Sequence, residues 1–168
     1  MNKLKKLLSV VIVFGVCVCL TSCNNDKKYL ENTHSAYNDI NVRMNVCYEI
    51  LSNYSVILSA PFAQWASPET LDRSFFKVYG QMYGNRSDKI QMLDSKSLDG
   101  SMAKLRNPPK KYESTYNKML ELYGAYTKIQ RIVVKAEGSE VRNSLKQIKQ
   151  TLEDFNMYKD QLNVMLKE

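Results

Sequence analysis

Three of the four cysteines of this chain fall within seven residues, as Cys17, Cys19 and Cys23. Thiols this close could hold a metal, close a disulfide or accept a covalent group, and the neighbouring residues decide among these. Zinc takes four preorganised nitrogen or sulfur ligands at loop spacings, and no histidine or further cysteine follows nearby. A disulfide framework fares no better, because Cys17 and Cys19 sit inside an apolar run where they act as small hydrophobes. The role of Cys23 stays open at this point, while Cys47 stands far downstream with no partner to bridge.

The segment ahead of Cys23 is a cationic start, Met1-Asn2-Lys3-Leu4-Lys5-Lys6, followed by an apolar run from Leu7 to Leu20 relieved only by Ser9 and Gly15. As a helix that run spans about 21 Å, short of the ~30 Å hydrocarbon core, which suits a secretory leader better than a membrane-spanning anchor. It closes with Leu20-Thr21-Ser22-Cys23: an aliphatic residue, two small ones, then cysteine. This resembles the lipobox of bacterial lipoproteins. The resemblance covers about the first 23 residues, and it implies that the Cys23 thiol receives a diacylglycerol and that the chain is cut before it. Residues 1–22 are then a removed signal peptide, 23–26 a lipidated tether and 27–168 a single helical domain. The membrane, reached through the lipid on Cys23, becomes the first expected partner. If the host is Gram-negative, Asn24 in place of aspartate implies outer-membrane sorting by the enterobacterial rule, and the lack of an acidic cluster in Cys23-Asn24-Asn25-Asp26-Lys27 implies its periplasmic face.

Loss of Lys3, Lys5 and Lys6 with the leader lowers the formal charge from +7 to +4, so much of the basicity belongs to targeting. An exported chain meets little nucleic acid, and no nucleic-acid partner is expected.

Other residues with chemical potential are scattered. His34 is the lone histidine, and Asp39, Glu49 and Glu121 stand singly, as on solvated helix faces. There is no nucleophile-elbow sequence, no phosphate-cradling glycine loop and, with one histidine in the chain, no set of two Glu-x-x-His motifs such as the di-metal bundles carry. The expectation is a protein that is not an enzyme and uses no cofactor and no metal. Two aromatic groups stand out instead. Pro61-Phe62-Ala63-Gln64-Trp65-Ala66 holds the only tryptophan, so Phe62 and Trp65 either cap their own core or form a partner-binding tip. Tyr112, Tyr116, Tyr123 and Tyr126 either fill the core with their tips at its edge or line a groove for a lipid or glycan.

Helical periodicity supplies the elements that must position these residues. Leu30, Thr33, Tyr37, Ile40, Met44, Cys47, Leu51, Tyr54 and Leu58 alternate steps of three and four, a seam that predicts a helix from about Asp26 to Ala60, ended by Pro61. The same seam makes Cys47 a packed, inert thiol. Ser67-Pro68-Glu69 starts a second stretch with Leu71, Phe75, Val78 and Met82 on one face. It is expected to break near residues 84–88 and resume through Ile90, Leu93, Leu98, Met102 and Leu105, with Asp99-Gly100 a second possible turn. Asn107-Pro108-Pro109 stops it. A third helix carries the four tyrosines with Met119, Ile129 and Val133 to about Ala136. A fourth follows Gly138-Ser139 with Val141, Leu145, Ile148, Leu152, Phe155, Leu162 and Leu166 as its seam, interrupted at Lys159.

Four striped stretches with short connections predict an all-α, antiparallel up-down-up-down helical bundle. In that topology Lys27, Lys28, Lys104, Arg106, Lys110, Lys111 and Lys167 gather at the lipid end, either as helix-end charge or against anionic headgroups. Phe62 and Trp65 gather at the far end. Two functions stay open: a structural or protein-interaction lipoprotein that meets another envelope protein, and a small-molecule-binding one that uses the tyrosine groove. The Asn-Pro-Pro followed by a tyrosine-rich helix also resembles small exported bacterial helical proteins, a likeness that implies no activity.

Overall fold

The computed structural model describes residues 2–83, 93–135 and 138–167, with side chains from residue 25 onward except 78–83, 135 and 138–140. The described residues form a helical bundle of six α-helices without a strand: α1 (Asn2–Ser59), α2 (Pro68–Tyr83), α3 (Ser95–Ala103), α4 (Glu113–Lys135), α5 (Gly138–Asn143) and α6 (Leu145–Met165). The lipobox side chains, Val78, Met82, Ile90 and the expected break at 84–88 lie outside the described side chains or residues.

Proline chemistry sets the end of α1. Ala60, ahead of Pro61, is extended at φ −68° and ψ 141°, as the proline ring demands of its predecessor. A 3-10 turn at Pro61–Gln64 follows, and Ser67 then caps α2, its Oγ accepting from the Thr70 amide at 3.3 Å. Asp94 caps α3 in the same way, accepting from the Lys96 amide at 3.2 Å. Asp99-Gly100 is helical, inside α3. The stop at Asn107-Pro108-Pro109 is executed by Asn107 at φ 62°: Pro108 bars it from the right-handed helix, and asparagine is among the few residues that enter the left-handed region at modest cost.

The α1 seam is buried as expected at Thr33, Tyr37, Ile40, Met44, Cys47 and Tyr54, with Leu30, Leu51 and Leu58 half-buried. A second stripe, Tyr29, Ala36, Arg43, Ile50 and Ile57, is buried beside it, so α1 presents a face twice as wide as the single seam implied. That width lets it serve as the central element. α1 packs on α3 and α4, α4 on α6, and α2 on α5.

The last stretch departs from the expected unbroken helix. It is divided at Ser144 (φ −98°, ψ 5°), where the Ser144 amide bonds Val141 O in 3-10 fashion and the Ser144 carbonyl opens α6 by accepting from Ile148. Asn143 and Ser144 are consecutive poor helix formers, which makes this the cheapest place to interrupt the chain. The consequence falls on Leu145. Expected on the buried seam, it is 47% exposed, while Val141 and Ile148 on either side remain inside.

Candidate functional site

One end of the molecule is closed around a buried charge. The Arg43 side chain is almost fully enclosed, and its guanidinium donates to Asp39 Oδ1 at 2.8 Å, to the Asp94 carbonyl at 2.7 Å and to Ser97 Oγ at 2.6 Å. Burial alone would push this guanidinium down, but the Asp39 carboxylate outweighs it and the net shift is upward. One side chain thus ties α1 to the capped start of α3. The Tyr126 hydroxyl is buried beside this charge with no hydrogen-bond partner among the described residues, and burial raises its pKa. Nothing in the α1 seam marked Arg43 as interior; the available signal was its i,i+4 pairing with Asp39.

The four candidate tyrosines do not share one groove. Tyr112 stacks on Tyr29, centroids 5.3 Å apart, with Lys111 Nζ 4.9 Å from its ring and paired to Asp26 at 2.8 Å. Tyr126 is fully interior. Only Tyr116 and Tyr123 come together, lining a cleft of about 460 Å³ between α3 and α4 with Asp99 and Arg106 on its walls. The Tyr123 hydroxyl donates to Asp99, and burial followed by that carboxylate raises its pKa to about 12.

At the other end, Phe62 and Trp65 occupy the turn between α1 and α2. The turn is held by backbone bonds from the Trp65 and Ala66 amides to Phe62 O and by the buried Ala63. Trp65 is 87% exposed and Phe62 46%, so the tryptophan is left almost wholly uncovered and the phenylalanine about half so. Next to them lies a groove that sequence reasoning missed. It measures about 640 Å³ and runs between the second half of α1 and α5–α6, walled by Leu51, Tyr54, Leu58, Val141, Leu145, Ile148 and Leu152. Its leucines occupy seam positions, so periodicity alone assigned them to a filled core. The break at Ser144 lies at one end of the groove, and Leu145, just beyond it, is 47% exposed along the groove wall.

Chemistry beyond binding has few candidates. Burial pushes the Cys47 thiol up to about 12, which leaves it protonated and unreactive at neutral pH. His34 is half-buried on α1. Among the described residues no group of three or more His, Cys, Asp or Glu is arranged to hold a metal, and no helix is long and apolar enough to cross a membrane. No protein-family model matches the sequence, and neither the curated proteins nor the solved structures return a match.

Proposed function

We propose that the chain is a lipid-anchored envelope protein that acts as a non-enzymatic interaction module, held by acyl chains on Cys23 and offering the turn around Trp65 to another envelope protein. Two or three acyl chains make the attachment effectively permanent, because one chain alone gives only reversible binding. Position then becomes the functional variable. The helices would be ordered as an up-down-up-down bundle of four stretches, α2 with α3 forming the second and α5 with α6 the fourth. Contacts that support this order are Tyr54 with Phe75, Arg43 with Ser97 and Tyr29 with Leu105, which descend α1 as the second stretch advances. Tyr48 with Asn156 and Tyr37 with Asn163 do the same for the fourth.

In this arrangement the rod from Cys23 to Ser59 carries the Trp65 turn roughly 50 Å from the lipid. The observation that carries the reading is the exposure of Trp65: a large indole left almost wholly in water, on a turn fixed by backbone hydrogen bonds, is costly unless a partner covers it. A photo-crosslinking phenylalanine analogue at position 65, compared with one at Lys110 on the opposite end, tests it in intact cells. A discrete protein adduct from position 65 alone is expected. Identical adducts from both positions, or none from 65, would refute it.

A further inference from the structure

We infer that the groove between α1 and α5–α6 is a site for one anionic single-chain amphiphile, its acyl chain along the leucines and its charged head at Arg142. This inference is independent of the Trp65 reading. The groove's walls are mostly apolar, with Ser52 and Ser55 among the leucines, over the helical length from Tyr48 to Leu58, about 15 Å, the reach of a medium-length acyl chain. Its volume, about 640 Å³, lies within the usual range of small-ligand pockets, about 300–1,000 Å³. A partner helix, about 10 Å across, would demand far more room than this trough offers.

The two ends differ in chemistry. At one, the Tyr48 hydroxyl donates to Asn156 Oδ1 at 3.2 Å and closes the trough with a neutral clasp, one turn beyond Glu153. At the other, Leu58 and Leu145 continue into a second hollow of about 350 Å³ bounded by Ala63, Gln64 and Arg142. There the Arg142 guanidinium makes, among the described residues, a single long hydrogen bond of 3.5 Å to the Ala63 carbonyl. Lys149 lies on the groove wall between the two ends. Among the described groups lining the two hollows, Arg142 is the charge at the open end, and Glu153, one turn from Lys149, lies toward the closed one. An acyl chain entering with its head toward Arg142 satisfies both, and the reverse orientation sets its anion against Glu153. Carboxylate and phosphate heads share this chemistry, since either accepts the parallel N–H groups of a guanidinium.

The test is equilibrium binding of radiolabelled dodecanoate, below its critical micelle concentration, to the full chain held in an amphipathic polymer in place of detergent. One saturable site per chain is expected. Arg142→Gln should weaken dodecanoate about tenfold, the loss of one charge-assisted hydrogen bond, and leave 1-dodecanol unaffected. Arg142→Lys should recover part of the loss. Leu145→Glu and Ser55→Phe, both at exposed positions on opposite walls, should abolish binding of acid and alcohol alike while thermal unfolding stays cooperative. A lysophosphatidate that binds more tightly than dodecanoate would assign a phospholipid head, and the reverse order a free fatty acid. Absence of saturable dodecanoate binding, equal affinity in Arg142→Gln, or saturation only by an amphipathic leucine-lysine peptide would overturn the inference.

Discussion

The halves of α1 teach opposite lessons. From Tyr29 to Cys47 the helix is enclosed: Tyr29 stacks on Tyr112, Arg43 bonds across to α3, and Cys47 lies beside Tyr126 in a core without solvent. From Tyr48 to Leu58 the same heptad spacing continues, yet one side faces an open trough and the helix ends in a turn whose largest ring is in water. The apolar pattern is equally regular in both. What differs is what lies across from it: α3 and α4 close over the first half, whereas the second half shares an open trough with α6, and the break at Ser144 lies at the far end of that trough. Exposed apolar surface gathers in the open half.

That contrast breaks most readily at Arg43. Arg43→Ala removes a buried side chain and leaves the part-buried Asp39 carboxylate and Asp94 carbonyl without their donor, and unfolding in denaturant should show a loss of about 2 kcal/mol. A loss below about 1 kcal/mol would mean that water already reaches this network. Arg43→Met combined with Asp39→Asn should recover part of it, because the burial cost of the charge goes with the charge.

High pH provides the second separation. Burial raises Cys47 from 9.0 to about 12, and Tyr29 from 10.0 to about 12. In each case the unfolded chain releases its proton first, so the folded form binds more protons across that interval and stability falls as pH rises. Full stability is expected below about pH 9, with a progressive loss from there toward pH 12. Cys47→Ala should flatten the decline between pH 9 and 10, and an unchanged slope would show that Cys47 is not its source.

The boundary between the halves is sharpened by Tyr48→Phe, which removes the clasp to Asn156. This partly exposed hydrogen bond is expected to contribute about 0.5–1 kcal/mol, measured by thermal unfolding. The smallest effects belong to the open half itself. Leu145→Ala and Trp65→Ser should each change stability by less than about 0.5 kcal/mol, since neither side chain supports the core. A loss above about 2 kcal/mol at either would erase the distinction between the halves.

The all-helical character was readable because spacing at three and four residues persists through every long stretch, and because Pro61, Ser67-Pro68 and Asn107-Pro108-Pro109 punctuate it with steric force. The second stripe on α1 was not readable. Arg43 there is a charged residue in a buried register, and only contacts 51 and 54 residues away along the chain account for its burial. Leu145 failed for the converse reason: an apolar residue in perfect register is turned outward by a local break, and periodicity cannot register a break that preserves it. Of the candidate residues, the packing of Cys47 follows from local sequence, whereas the exposure of Trp65 does not, because the same turn at 61–66 could equally have folded its rings back over the core. The separation of Tyr112 and Tyr126 from Tyr116 and Tyr123 depends on how wide a face α4 presents to α1 and α3, a tertiary property. Cys23 rests on a processing motif and owes nothing to packing.

Trp65 is the only tryptophan, so its fluorescence in the lipidated chain reconstituted into vesicles reports directly whether the open half stands away from the membrane. A red-shifted emission, ready quenching by dissolved acrylamide and no quenching by brominated lipid are expected. Quenching by brominated lipid, or an emission shifted to the blue on reconstitution, would place this end at the bilayer and contradict the proposed arrangement.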